Sequence, residues 1–221
     1  MVMMKFKKIK NICWSCLVFV CAGIAIVLLA GSSCKTKTDM RELIDIPVME
    51  GDAIETTHQP KNYIDRHTIG RHFSMQKSAN WVQTKVPTDF NVIMLDSHYR
   101  YVDYYHFRKF NNWFGKLMHE AGIQPGVESN HQALDCDNFA MLYKSLMGVS
   151  AYKSGDKLEM GVAVVVVRQV NEFGGIPGTG GLHMLNLIFT PGKWFIYEPQ
   201  TNKYILLEDY PNQEFVQYMI L

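Results

Sequence analysis

Cysteine is scarce in the part of this chain that could form a folded domain. Four of the five cysteines lie at or before position 34, and Cys136 alone follows. A small domain held together by disulfides needs paired cysteines, so the sequence excludes that class of protein. Cys136 has no intrachain disulfide partner unless Cys34 supplies one.

A basic excess and metal-ligand motifs are also missing. Four of the 22 Lys and Arg residues precede Cys34, which leaves 18 against 21 Asp and Glu, a net charge of about −3. Such a chain has little to attract a phosphate backbone, so we expect no nucleic-acid partner. The eight histidines are scattered and form no HExxH pair, so we expect no zinc site.

The N-terminus has the three parts of a secretory signal. Four lysines precede an apolar run from Ile12 to Ala30, and Gly-Ser-Ser-Cys follows, ending at Cys34. A cysteine after small residues resembles a bacterial lipoprotein signal, in which Cys34 would be lipidated and become the new N-terminus. Because Gly31 stands where such signals usually carry Leu, an uncleaved anchor and plain secretion stay open. All three alternatives place the domain outside the cytoplasm, and we expect an exported, membrane-tethered protein of the bacterial cell envelope.

The rest of the chain divides into two parts. Residues 35–90 are polar and weakly periodic, and we predict a tether or N-terminal extension with partial order around 63–81. Residues 91–221 are long and apolar enough for one domain with a core. The chain therefore has a predicted signal peptide at 1–34, an extension at 35–90 and a domain at 91–221.

Helices come before strands in this domain. Apolar residues at spacings of three and four predict a helix over about 102–121, ended by Gly122. A second helix is predicted over about 136–147, with Asp135 as N-cap and Gly148 at its end. Apolar, partly β-branched runs predict strands over 161–170, 182–189, 194–198 and 204–207. Helices followed by an antiparallel meander indicate an α+β fold.

Three side chains could make a cysteine nucleophilic. Cys136 opens the second helix, where unpaired N–H groups and the helix dipole favour the thiolate form. His183 lies in an apolar strand, where a buried imidazole needs a hydrogen-bond partner. A backbone carbonyl could be that partner, and His183 would then be an ordinary core histidine. A hairpin at 190–193 would bring Glu198, at the end of the next strand, opposite residues 183–186. A carboxylate there would orient the imidazole, which predicts a Cys-His-Glu set.

Further polar residues could complete this site. Asn186 and Gln200 are second-choice orienters of the histidine. The Cys136 N–H is one expected oxyanion donor, and Asn130 or Gln132, just upstream of the cysteine, could be the other. Five glycines at 174–181 are read as a flap beside the cleft or as an ordinary loop, because no Lys-Ser or Lys-Thr follows to indicate phosphate binding.

The motifs Asp-Cys-Asp-Asn-Phe-Ala at 135–140 and Trp-Phe-Ile-Tyr-Glu-Pro-Gln-Thr at 194–201 resemble those of the papain-like cysteine-peptidase superfamily. They are most similar to the small papain-like domain of a Marasmius-type agglutinin and its bacterial and phage relatives. The resemblance covers about 95–210 and implies a nucleophile, Cys136, at the start of a helix packed on an antiparallel sheet. It also implies His183 as base and Glu198 as orienter. The fungal domain is associated with calcium, but no loop here has calcium-ligand spacing, so we expect no cofactor.

Together these features predict an exported peptidase or amidase that transfers acyl groups through Cys136. Its substrate would be a peptide or protein, and a cell-wall peptide suits the compartment. An amine in place of water as acceptor would make it a transglutaminase-like enzyme. The alternative is a binding or structural surface lipoprotein that keeps a papain-like fold without turnover.

Overall fold

A computed structural model describes residues 45–49, 63–74, 91–123 and 135–221. Three α-helices lie in these ranges: α1 (Arg66–Ser74), α2 (Tyr104–Glu120) and α3 (Cys136–Lys153). The strands are β1 (Tyr63–Asp65), β2 (Asn91–Ile93), β3 (His98–Arg100), β4 (Val162–Arg168), β5 (Leu182–Thr190), β6 (Lys193–Glu198), β7 (Lys203–Leu206) and β8 (Val216–Ile220). The fold is α+β, as the order of elements predicted. No helix in the described ranges is both long and apolar enough to cross a bilayer.

Six strands form the main sheet, in the order β2-β8-β4-β5-β6-β7. Neighbouring strands are antiparallel except β2 and β8, which are parallel. The predicted hairpin between β5 and β6 is confirmed, because Thr190 pairs with Lys193 across a turn in which Gly192 has φ +74°. Strand β8 was not predicted, and it inserts between two strands that lie far from it in sequence. A separate small sheet pairs β1 with β3.

The two faces of the main sheet bury separate apolar clusters. One cluster joins α2 and α3 to the sheet, through side chains such as Phe107, Tyr143 and Tyr197. The helix α2 begins where the apolar pattern indicated, since Asp103 accepts hydrogen bonds from the N–H groups of the first turn at 2.8 and 3.0 Å. It ends before Gly122, whose φ is +74°.

The core includes residues from the segment predicted as an extension. Ile64, Ile69 and Phe73 are buried in the cluster on the other face of the sheet. Ile46 and Met49 are buried in the helical cluster, and the Met49 N–H donates to the Ser154 hydroxyl at 2.9 Å. The predicted start of the compact domain near Asn91 is therefore too late, because apolar residues at scattered positions upstream also pack on it.

Helix α3 continues past the predicted stop at Gly148. A glycine inside a helix costs about 1 kcal/mol relative to alanine, which packing can outweigh. Here Ser150 and Ala151 in the following turn are buried, and the Ser150 hydroxyl donates to the Pro47 carbonyl. The helix ends at Lys153, and Gly155 just beyond it has φ +75° and donates its N–H to the Tyr152 carbonyl at 3.0 Å.

Candidate active site

Cys136 occupies the first residue of α3, as predicted. Asp135 before it is extended, and the first intrahelical hydrogen bond runs from the Phe139 N–H to the Asp135 carbonyl at 3.2 Å. The Cys136 N–H precedes that bond, so the helix leaves it without a carbonyl partner of its own. The cysteine is half-buried and makes no disulfide. Its thiol and its N–H therefore lie together at the positive end of the helix dipole.

His183 and Glu198 meet across the β5–β6 hairpin. The paired register ends at Asn186 and Tyr197, and Glu198 follows one residue further along β6. The His183 Nε2 lies 2.5 Å from the Glu198 Oε2. Glu198 is 0 % exposed and His183 is 8 % exposed, so the pair is shielded from water. The predicted contact between these two residues is present.

The imidazole also lies near the nucleophile. The Cys136 thiol is close enough to the His183 ring to raise the pKa of His183. The three predicted residues are therefore neighbours in the fold, with Glu198 hydrogen-bonded to the imidazole and Cys136 near it.

Opposing effects set the pKa of His183. Burial lowers it, but Cys136 beside the ring and the hydrogen-bonded Glu198 carboxylate outweigh burial and raise it to about 9. At neutral pH the ring is therefore an imidazolium.

The second carboxylate oxygen of Glu198 is held by the turn that follows β6. The Gln200 N–H donates to Oε1 at 2.9 Å. At the other end of this turn, Asn202 has φ +55° and accepts the Tyr197 hydroxyl at 3.1 Å. The Tyr197 ring packs on Tyr143 of α3 with ring centroids 4.5 Å apart. One aromatic pair therefore joins the helix of the nucleophile to the strand of the glutamate.

Neither second-choice orienter contacts the imidazole as predicted. Asn186 is three residues from His183, so the two side chains lie on opposite faces of β5. The Asn186 amide instead donates to the Ala140 carbonyl of α3 at 3.0 Å and to the Ala163 carbonyl of β4 at 3.4 Å. It fastens the helix to the sheet. Gln200 acts on Glu198 through its backbone N–H.

The remaining candidates have no described position. Asn130, Gln132 and Cys34 lie outside the described residues, so the second oxyanion donor and the lipidation site stay predictions.

The carboxyl groups beside Cys136 do not build a metal site. Asp135 and Asp137 share a hydrogen bond, which raises the pKa of Asp135 together with burial and the Asp137 charge. Within the described ranges no three His, Cys, Asp or Glu side chains are placed to hold a metal ion. The described residues therefore provide no carboxylate cluster for the calcium ion that the fungal resemblance implies.

Of two further supports of the site, one had a signal in the sequence and one did not. An Asn-Lys pair before a strand suggests a residue with positive φ, which is the role of Asn202. Gly115 in α2 lets this turn approach, since a Cβ there would lie 2.9 Å from the Asn202 Nδ2. Periodicity showed only that Gly115 lies in a helix, because a contact between distant segments leaves no local pattern.

No protein-family model and no curated protein matches this chain. The solved structures that resemble it include one titled "PSL1a-E64 complex" and one of the Polyporus squamosus lectin bound to a human-type influenza-binding epitope. Their sequence identities to this chain are 12 % and 13 %, with TM-scores of 0.47 and 0.46. Each match covers 72 % of this chain and 50 % of the other, so this chain spans about half their length.

Proposed function

We propose that this protein is a papain-like cysteine peptidase or amidase that transfers acyl groups through Cys136. The observation that carries the proposal is the arrangement of Cys136, His183 and Glu198, with 2.5 Å between the imidazole Nε2 and the carboxylate. A buried imidazole between a thiol and a fully buried carboxylate has the order of groups that nucleophilic catalysis needs. Local sequence motifs support the same assignment.

The reaction follows from the roles of the three groups. The Cys136 thiolate attacks an amide carbonyl, and the Cys136 N–H donates to the oxygen that becomes negative. As the tetrahedral adduct collapses, the C–N bond breaks and the His183 imidazolium gives its proton to the leaving amine. Neutral His183 then takes a proton from water, whose oxygen displaces the sulfur of the thioester and releases the acid. Glu198 holds the ring and balances its charge throughout.

We place the enzyme in the bacterial cell envelope, tethered to the membrane through Cys34. The basic, apolar and small-residue regions before that cysteine support export and lipidation. In this compartment peptides and proteins outside the cytoplasm are the available amides, and cell-wall peptides are one such class.

Alkylation of Cys136 tests the activated thiol. At pH 6 an ordinary thiol reacts slowly with iodoacetamide, whereas a thiolate paired with an imidazolium reacts fast. We expect rapid, single-site alkylation at Cys136 that becomes at least about tenfold slower in His183→Ala. His119→Ala removes an exposed histidine at the end of α2 and is the matched control. Slow labelling that His183→Ala does not change would favour the non-catalytic binding protein.

Turnover requires a second measurement. Incubation with peptide and cell-wall fragments, followed by mass spectrometry of the intact protein, should show an acyl adduct on Cys136 that Cys136→Ala lacks. Added primary amine distinguishes the acceptors, because a transglutaminase-like enzyme would yield an amide and a hydrolase the free acid. Fast alkylation without an adduct from any fragment would rule out this class of substrate.

A further inference from the structure

The loop between β4 and β5 contains a tight turn at Phe173–Ile176. The Phe173 N–H bonds the Ile176 carbonyl at 3.1 Å, and the Ile176 N–H bonds the Phe173 carbonyl at 3.0 Å. The two central residues, Gly174 and Gly175, have φ of +65° and +87°. Positive φ at both central positions is the mark of a type I′ turn. The segment predicted as a flap or an ordinary loop is therefore hydrogen-bonded to itself at this point.

This turn lies against Glu198. A Cβ built on Gly174 would lie 3.0 Å from the Thr201 Oγ1, 3.2 Å from the Lys203 Cβ and 3.3 Å from the Glu198 Cγ. A Cβ on the neighbouring Gly175 would meet nothing within 4 Å. The two glycines share a backbone geometry that strains any other residue, but only Gly174 touches the carboxylate side chain.

Apolar packing anchors the turn in this position. The Phe173 ring is buried and meets the Tyr210 ring edge-on, with centroids 5.1 Å apart. Tyr210 is 1 % exposed and lies close enough to Glu198 to respond to its charge. The Phe173–Tyr210 contact therefore fixes the position of the turn, and Gly174 lies against the Glu198 side chain.

From these contacts we infer that the Phe173–Ile176 turn is a positioning element of the site. In it, Gly174 shields the Glu198 side chain from water and keeps the carboxylate directed at the His183 Nε2. The inference deepens the proposed function and depends on it for its effect on acyl transfer. Its physical reason is that an ion pair shielded from water is stronger than one in contact with it. Gly174 acts through Glu198 and contacts no reacting atom.

Several other groups share the surroundings of this ion pair. Four titratable groups lie near Glu198 and His183: Cys136 of α3, Tyr197 next to Glu198 in β6, Lys203 paired with Glu198 across β7, and Tyr210. Glu172 precedes the turn and accepts the Gly175 N–H at 3.2 Å. Neither Gly174→Ala nor Gly175→Ala adds or removes a charge among these groups. A change in the His183 titration therefore reports on how the groups are arranged.

The matched substitutions Gly174→Ala and Gly175→Ala test the inference. Both impose the strain of positive φ, but only the first pushes a methyl group into Glu198 and Thr201. The readout is the NMR titration of the His183 ring in the full domain, assigned by its loss in His183→Ala. We expect the midpoint to fall by about one pH unit in Gly174→Ala, a tenfold weaker hold on the proton, and to stay unchanged in Gly175→Ala. Alkylation of Cys136 at pH 6 should slow only in Gly174→Ala.

Equal shifts in both variants, or no shift in Gly174→Ala, would overturn the inference. If Gly174→Ala alone does not fold, the same titration is made in Gly174→Ala with Thr201→Ala, which removes the nearest atom. The Thr201 hydroxyl has no hydrogen-bond partner among the described residues, so its removal breaks no bond there. The titration needs no substrate. A wild-type enzyme without turnover would refute the proposed function and leave the test of the turn intact.

Discussion

Replacing Glu198 by glutamine should change how the stability of this protein depends on pH. In the wild type the His183 pKa is raised to about 9 from its usual 6.5, even though burial alone would lower it. A raised pKa adds stability in full below about pH 6.5, and that stability is lost as the pH rises through about 9. The difference between the two values corresponds to about 3 kcal/mol, shared between the contacts to Cys136 and to Glu198.

Glutamine keeps the shape of Glu198 but removes its charge. Its amide can donate to the His183 Nε2 and so favours the neutral ring, which should bring the His183 pKa back toward its usual range. The Gln200 backbone N–H, which lies 2.9 Å from the Glu198 Oε1 in the wild type, can still donate to the amide oxygen of the substituted side chain. We therefore expect Glu198→Gln to lose stability mainly at low pH and to approach the wild type at high pH.

Urea denaturation at pH 6 and at pH 9.5 measures this difference. The wild type should lose more unfolding free energy between the two pH values than Glu198→Gln, by about 1 to 3 kcal/mol. The comparison between the two proteins cancels the other groups that titrate in this range. Parallel pH dependences in the two proteins would refute the ion pair as a stabilising contact.

Two further predictions concern the framework of the site. Gly148→Ala should stabilise the protein by about 0.5 to 1 kcal/mol, because a Cβ there meets nothing within 4 Å. Gly115→Ala should stabilise it less, because a Cβ there would lie 2.9 Å from the Asn202 Nδ2 and offset the gain in helix propensity; thermal unfolding of both variants checks this. Burial lowers the pKa of His106 to about 4, so stability should fall as the pH drops from about 6.5 through 4. The loss of unfolding free energy between pH 7 and pH 4 should be smaller in His106→Gln than in the wild type. An equal loss in the two proteins would contradict this assignment.

The local parts of the site could be predicted because its contacts are close in sequence. His183 and Glu198 belong to one hairpin, so a two-residue turn and strand alternation are enough to bring them together. The same alternation excludes Asn186 as an orienter, since residues three apart in a strand face opposite ways. Asp135 and the stripe that follows it indicated where α3 begins, and hence where Cys136 lies.

The missing parts depend on contacts between distant segments. Strand β8 pairs with β2, more than 100 residues before it in the chain, and nothing local in 216–220 indicates that neighbour. Gly148 looks like a helix stop because glycine has a low helix propensity. The helix continues because Ala151 in the next turn is buried by tertiary packing, which the local sequence does not indicate. The pair Gly174-Gly175 indicates a turn, but that Gly174 lies on Glu198 follows only from the folded chain.

The burial of Glu198 also decides which variant isolates the chemistry. Its carboxylate is 0 % exposed and is satisfied by the His183 ring at one oxygen and the Gln200 N–H at the other. His183→Ala would leave a buried charge with half its partners, which costs several kcal/mol, so lost activity in that variant mixes catalysis with folding. Glu198→Gln removes the charge together with its need for a partner. A loss of alkylation rate in Glu198→Gln at unchanged circular dichroism is therefore the cleaner evidence that the carboxylate acts on Cys136 through the imidazole.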